Sequence, residues 1–168
     1  MKLGFSLIVA LCLSGIVAVQ TPVQAVQWSA STDGRNPVKK GSNLTIDLAG
    51  KALDGWHVYG LAQEPNGPTP LRITLDENTT AEVRGALSGT EPIKRQDSSF
   101  NLETQIYEKD FSLHLPARIK QSADAGKQSI SVSVRFQACN DHICLPPRTV
   151  HLSVPIEIDS DSRTDEKP

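Results

Sequence analysis

Apolar and polar residues alternate over short stretches along most of this chain. Leu44, Ile46 and Leu48 form one such run, and Leu71, Ile73 and Leu75 a second. Phe111, Leu113 and Leu115 form a third, Ile130, Val132, Val134 and Phe136 a fourth, and Val150, Leu152, Val154 and Ile156 a fifth. A period of two puts the apolar members of a run on one face of an extended chain, so each run predicts a half-buried β-strand. Trp56-His57-Val58-Tyr59 adds a strand rich in aromatic and β-branched residues. The mostly polar segment from Val26 to Asn36, around Trp28, reads as a leading strand or arm, and Ala81 to Ser88 as another short strand. Turn signals separate the runs: Pro37 to Gly41, Gly50 to Gly55, the prolines and glycine between Gln63 and Pro70, and the polar stretch Gln121 to Lys127. Gly89 to Ser99 has no clear period and is expected to be a polar connection, and Pro116 is expected to end the run that holds Phe111. No helix of ordinary length is predicted. About seven or eight short strands divided by turns predict an all-β, antiparallel β-sandwich.

The two ends break this pattern. Lys2 supplies a positive charge, Leu3 to Val19 is almost wholly apolar, and Val23-Gln24-Ala25 offers the small residues that signal peptidase requires. Residues 1–25 are therefore expected to be a cleavable signal peptide. Leu11 before Cys12 does not fit a lipobox, which needs a small residue there. Residues 158–168, with Asp159, Asp161, Asp165 and Glu166, are expected to be a solvated acidic tail. A sandwich domain is expected over residues 26–157, roughly the modal size of one domain. The formal net charge is −2 and no basic block occurs, so nothing supports nucleic-acid binding.

Export changes the meaning of the cysteines. Of the three in the sequence, Cys12 would leave with the signal peptide, and Cys139 and Cys144 would remain in an oxidising compartment where a disulfide can persist. They stand where the fourth run ends, in Cys139-Asn140-Asp141-His142-Ile143-Cys144-Leu145-Pro146-Pro147. The two prolines block helix and remove two backbone donors, so the chain leaves the pair extended or turned, and another strand is expected to begin near Arg148.

Three chemistries compete for this pair. A structural disulfide closing so short a loop would contribute roughly 2 kcal/mol. A redox-active disulfide would be exposed or strained enough to turn over; a protonated His142 would favour a thiolate there, and Asp141 would oppose it. A metal site would take Cys139, His142 and Cys144, with His57, His114 or His151 as a distant fourth ligand, although the spacing matches no common zinc module.

The stretch from Phe136 through the cysteines to Pro147, together with Gly55-Trp56-His57-Val58-Tyr59, the proline-rich Pro65 to Pro70 and Gln105-Ile106-Tyr107 before Phe111, resembles the N-terminal periplasmic domain of the thiol:disulfide interchange protein DsbD family. The resemblance covers roughly Val26 to Ile156. It implies an immunoglobulin-like sandwich whose cysteine pair relays electrons in the periplasm, with no cofactor. Its partners would be periplasmic thioredoxin-like proteins and a membrane-embedded thiol relay, and the domain itself is expected to be a monomer. By position, Cys144 would be the thiol that attacks or is attacked, and Cys139 would resolve the mixed disulfide. The resemblance also implies an aromatic cap over the pair, which falls on Phe100, with Tyr59 and His142 as further wall residues.

This chain departs from the family pattern in three ways. Fewer residues separate its cysteines than in the family's best-known member. Serines stand at Ser98 and Ser99, where acidic residues usually precede the cap. The sequence ends at Pro168 with no membrane span and no thioredoxin-like domain, so the electron donor is expected to be a separate polypeptide. The alternative reading is a secreted, non-enzymatic binding sandwich whose disulfide stays closed.

Overall fold

The computed structural model describes residues 24–34, 36–77 and 80–160. The predicted signal peptide up to residue 23 and the acidic tail from residue 161 lie outside the described residues. Twelve strand segments follow one another: β1 (Val26–Thr32), β2 (Asn43–Ala52), β3 (His57–Tyr59), β4 (Arg72–Leu75), β5 (Ala81–Val83), β6 (Ser88–Gly89), β7 (Ile93–Asp97), β8 (Leu102–Glu108), β9 (Asp110–Ile119), β10 (Gly126–Phe136), β11 (Ala138–Cys139) and β12 (Arg148–Ile158). No helix occurs among the described residues.

All named pairings are antiparallel. One sheet has the order β1-β2-β9-β5, with β6 also on β9; a second has the order β12-β10-β4; a third has the order β11-β3-β8-β7. The first two face each other across the main core. Leu44, Ile46 and Leu48 of β2 and Phe111, Leu113 and Leu115 of β9 meet Ile130, Val132, Val134 and Phe136 of β10 and Val154, Ile156 and Ile158 of β12 in one buried cluster. Apart from Ile158, which the sequence assigns to the tail and which is instead the buried last residue of β12, these are the alternate positions that the sequence marks as apolar, so the period of two has become the inward face of each sheet. Trp28 of β1 reaches into the same cluster, its ring 5.4 Å from both Phe111 and Phe136. Ala25, just before β1, is buried, and its carbonyl accepts a hydrogen bond from the Leu53 amide at 2.9 Å.

The third sheet is made from continuations of the other two. β8 passes into β9 through Lys109, held at φ 58°, and β10 passes into β11 through Gln137. The third sheet is also joined to the main core by packing, through Val58 of β3, Tyr107 of β8 and Ala138 of β11.

Several elements differ from the sequence pattern, each for a physical reason. β2 does not stop at Gly50 but runs to Ala52, and the turn is made by Gly55 at φ 78°. Gly50 is an in-strand glycine because the Phe111 ring lies over it: a Cβ there would stand 2.3 Å from Phe111 Cζ. β9 likewise continues through Pro116 to Ile119. The Pro116 carbonyl accepts from the Arg84 amide, so its missing N–H faces the same side, away from β2, and the β2–β9 ladder loses nothing. The expected strand from Ala81 to Ser88 is two short pieces, β5 and β6, and the expected polar connection from Gly89 to Ser99 contains strand β7. The segments thus outnumber the seven or eight expected, although the sandwich they form is the one predicted.

Candidate functional site

Cys139 and Cys144 are joined in a disulfide. The backbone brings them together before the bond does. The Asn140 amide donates to the Ile143 carbonyl at 2.9 Å, and the Leu145 amide donates to the Ala138 carbonyl at 2.9 Å. Cys139 and Cys144 lie opposite each other between these two rungs, as an antiparallel bridge with Cα atoms 4.1 Å apart. Such a non-hydrogen-bonded pair brings side chains closest. Asn140 stabilises the tip of the connection, its Oδ1 accepting from the amides of His142 at 2.9 Å and Ile143 at 2.8 Å. Leu145 then packs on the main core and ties down the outgoing chain.

The two cysteines are not equivalent. Cys139, paired with β3, is 1% exposed, whereas Cys144 is exposed. An external thiolate can therefore approach Cys144, and the sulfur it would displace lies inside the protein.

Tyr59 forms the inner wall. It is fully buried and packs with Ile106 and Cys139 in a small cluster separate from the main core. Its hydroxyl donates to Asp97 Oδ2 at 2.7 Å and lies 3.8 Å from Cys144 Sγ. Burial pushes the Tyr59 phenol well above its usual range, and the Asp97 hydrogen bond and charge add to this. Tyr59 is thus a protonated donor at any physiological pH. Phe100 is half-buried against the same cluster and meets the Tyr59 ring edge-on at 5.9 Å. Asp97 orients that loop: its Oδ1 accepts from the amides of Ser99 at 2.8 Å and Phe100 at 3.3 Å. One buried carboxylate therefore holds both the wall tyrosine and the loop that carries Phe100.

Beside this lies a cleft of about 220 Å³ whose lining includes His57, Tyr59, Arg95, Asp97, Cys139 and Asp141. His57 is 4% exposed and stands opposite Cys139 in the β3–β11 register. Its Nδ1 is 3.2 Å from Arg95 Nη2, and Arg95 is also paired with Glu108 at 3.0 Å. Burial, and after it the Arg95 charge, hold the His57 pKa below its ordinary value.

The remaining residues singled out in the sequence lie elsewhere. His142 is exposed and does not line the cleft. His114 is bonded to Asp47 at 2.6 Å, and His151 contacts Ser133 and Asp76 on the outer face of the second sheet. Among the described residues no three metal-ligating side chains converge.

Asp97, Arg95 and Asn140 escape sequence reasoning, which also takes His57 only as a distant ligand. Arg95 and Asp97 are the inward residues of β7, between exposed Lys94, Gln96 and Ser98. The period of two is present, but polar groups carry it, and a search for apolar alternation passes over it.

Residues 21–155 match the family model described as "Thiol:disulfide interchange protein DsbD, N-terminal". Among solved structures, the chain is similar to the reduced N-terminal domain of DsbD from Neisseria meningitidis. They share 14% identity, with 83% of this chain and 91% of that chain covered and a TM-score of 0.53. That likeness bears on the fold, an immunoglobulin-like sandwich. The N-terminal periplasmic domain of ScsB from Proteus mirabilis shares 15% identity over 83% of this chain and 49% of that one, with a TM-score of 0.49. No curated protein sequence matches.

Proposed function

The chain belongs to the family of the DsbD N-terminal domain, and from that premise we propose that it is a periplasmic thiol–disulfide exchange module working through Cys139 and Cys144. The observation that carries the proposal is the asymmetry of the disulfide, with Cys144 open to solvent and Cys139 buried beside Tyr59. To load the module, a thiolate of a donor dithiol attacks Cys144 Sγ. The Cys139–Cys144 bond breaks, and its electron pair leaves on Cys139 as a thiolate. The donor's second thiolate then attacks its own sulfur in the mixed disulfide. Cys144 is released as a thiolate, and the donor keeps the new disulfide. To unload, the Cys144 thiolate attacks an acceptor disulfide and Cys139 resolves the adduct, an intramolecular step favoured by the opposed geometry of the pair.

Tyr59 forms the wall behind Cys144, and Phe100, packed on the Tyr59 and Cys139 cluster, narrows the approach to the pair until a partner displaces it. His142 at the exposed tip is a contact for the partner rather than a shield. The donor is a membrane-embedded thiol relay, and the acceptors are periplasmic thioredoxin-like proteins. Residues 1–25 direct export and are removed, and the exchange domain runs from residue 26 to the end of β12, where Ile158 is buried in the main core.

The test uses Cys139→Ala, which leaves Cys144 without its resolving partner. Mixed with periplasmic extract, this variant is expected to accumulate a covalent adduct with a thioredoxin-like protein that dithiothreitol releases. Absence of any such adduct, with the wild-type chain also inert toward dithiols, would return the protein to the class of binding sandwiches with a closed disulfide.

A further inference from the structure

His57 is a buried polar group with an unfilled hydrogen-bonding position. Arg95 has only N–H groups to offer, so the 3.2 Å contact makes His57 Nδ1 the acceptor and leaves the ring proton on Nε2. That Nε2–H is buried and has no partner. Residues directly opposed on antiparallel strands project from the same face, and the residue opposed to His57 is Cys139; both line the same cleft. A disulfide sulfur is a weak acceptor and makes little demand on a donor, whereas a buried thiolate makes a strong one.

We propose that His57 Nε2–H is the donor that receives the Cys139 sulfur when it leaves as a thiolate, and that this donor is idle while the disulfide is closed. The inference rests on the exchange reading above and adds a thiolate-stabilising residue to it. In the loading step the electron pair of the broken S–S bond arrives on Cys139 Sγ, and the hydrogen bond forms as that charge develops. An interaction made in the transition state and absent from the ground state accelerates the step. In the unloading step the same bond keeps Cys139 ionised as the resolving nucleophile.

The charged and titratable groups around His57 are Tyr59 on β3, Arg95 and Asp97 on β7, Glu108 on β8 and Asp141 beyond β11. Burial and Arg95 keep the ring neutral near pH 7, so it acts as a fixed neutral donor, and protonating Nδ1 would break its bond to Arg95.

The test reads Cys139 directly in the full chain carrying Cys144→Ala, by following the Cys139 ¹³Cβ resonance against pH. His57→Phe is expected to raise the thiolate midpoint of Cys139 by about one pH unit, roughly a tenfold loss of thiolate at fixed pH. His57→Gln, whose amide can donate from nearly the same place as Nε2, is expected to recover most of that shift. Equal midpoints in all three proteins would overturn the inference. If His57→Phe fails to fold, the unsubstituted chain decides: the His57 Nε2–H resonance is expected to move on reduction of the pair, and an unmoved resonance overturns the inference. Exchange of the wild-type pair with dithiothreitol is scored separately. Exchange without the midpoint shift sinks only the role of His57, and the shift without exchange sinks only the functional reading.

Discussion

Two regions of the molecule are built on opposite rules. Where the first two sheets face each other, the interior is aliphatic and aromatic, with Ile46, Leu48, Ile130, Val132 and Val134 at most 1% exposed. In the third sheet, buried His57, Asp97 and Thr104 share the interior with Tyr59, Ile106 and Cys139. Burying polar groups weakens a fold unless they are paired, and His57 Nε2 is not. A chain able to fill one core with methyl groups has placed a carboxylate, an imidazole and a phenol around its disulfide. The difference separates a part that supplies stability from a part whose stability is compromised for chemistry.

Substitutions in the two parts should therefore separate folding from exchange. The largest effect is expected from Cys144→Ala, which should abolish dithiol exchange in an insulin-free thiol assay. It should cost the fold only about the 2 kcal/mol that a short-loop disulfide contributes. Ile46→Ala should do the reverse. It should lower urea stability by about 2–5 kcal/mol, with the exchange rate per folded molecule unchanged. A slowed rate in that variant would mean that the two parts are coupled more tightly than their packing indicates. Phe100→Ala should leave stability nearly intact and speed attack of a small thiol such as glutathione severalfold, about 1 kcal/mol of lost shielding. An unchanged rate would make Phe100 a packing residue of the Tyr59 cluster.

The smallest effect concerns pH. His57 titrates below its ordinary value in the folded chain, so the unfolded chain binds the proton more readily. Stability from a neutral His57 is complete above the unfolded value near 6.5 and declines as pH falls from there toward the folded value. Urea midpoints taken from pH 7.5 down to 5.5 should fall more steeply for wild type than for His57→Gln. Parallel slopes would remove His57 from the acid response.

Legibility in the sequence follows the same division. The main core could be read from the alternation of Ile130, Val132, Val134 and Phe136, because there the inward face is apolar. The cysteine connection was legible because two thiols and two prolines constrain the backbone by themselves. β7 was not, since its inward residues are Arg95 and Asp97 and its one large apolar side chain, Ile93, is exposed. Pro116 read as a stop because a sequence does not reveal which side of a strand its missing donor faces. The partnership of Asp97 with Tyr59 spans 38 residues and has no local signature. The residues least legible in the sequence are thus those that the third sheet gathers around the disulfide.

The reduction potential of the Cys139–Cys144 pair tests the central claim most directly. Purified protein equilibrated in graded glutathione or dithiothreitol buffers, with free thiols counted at each point, is expected to give a value above about −300 mV, in the range of exchangeable disulfides. A value well below that, with the fold intact after forced reduction, would contradict the account and make the bond a structural staple.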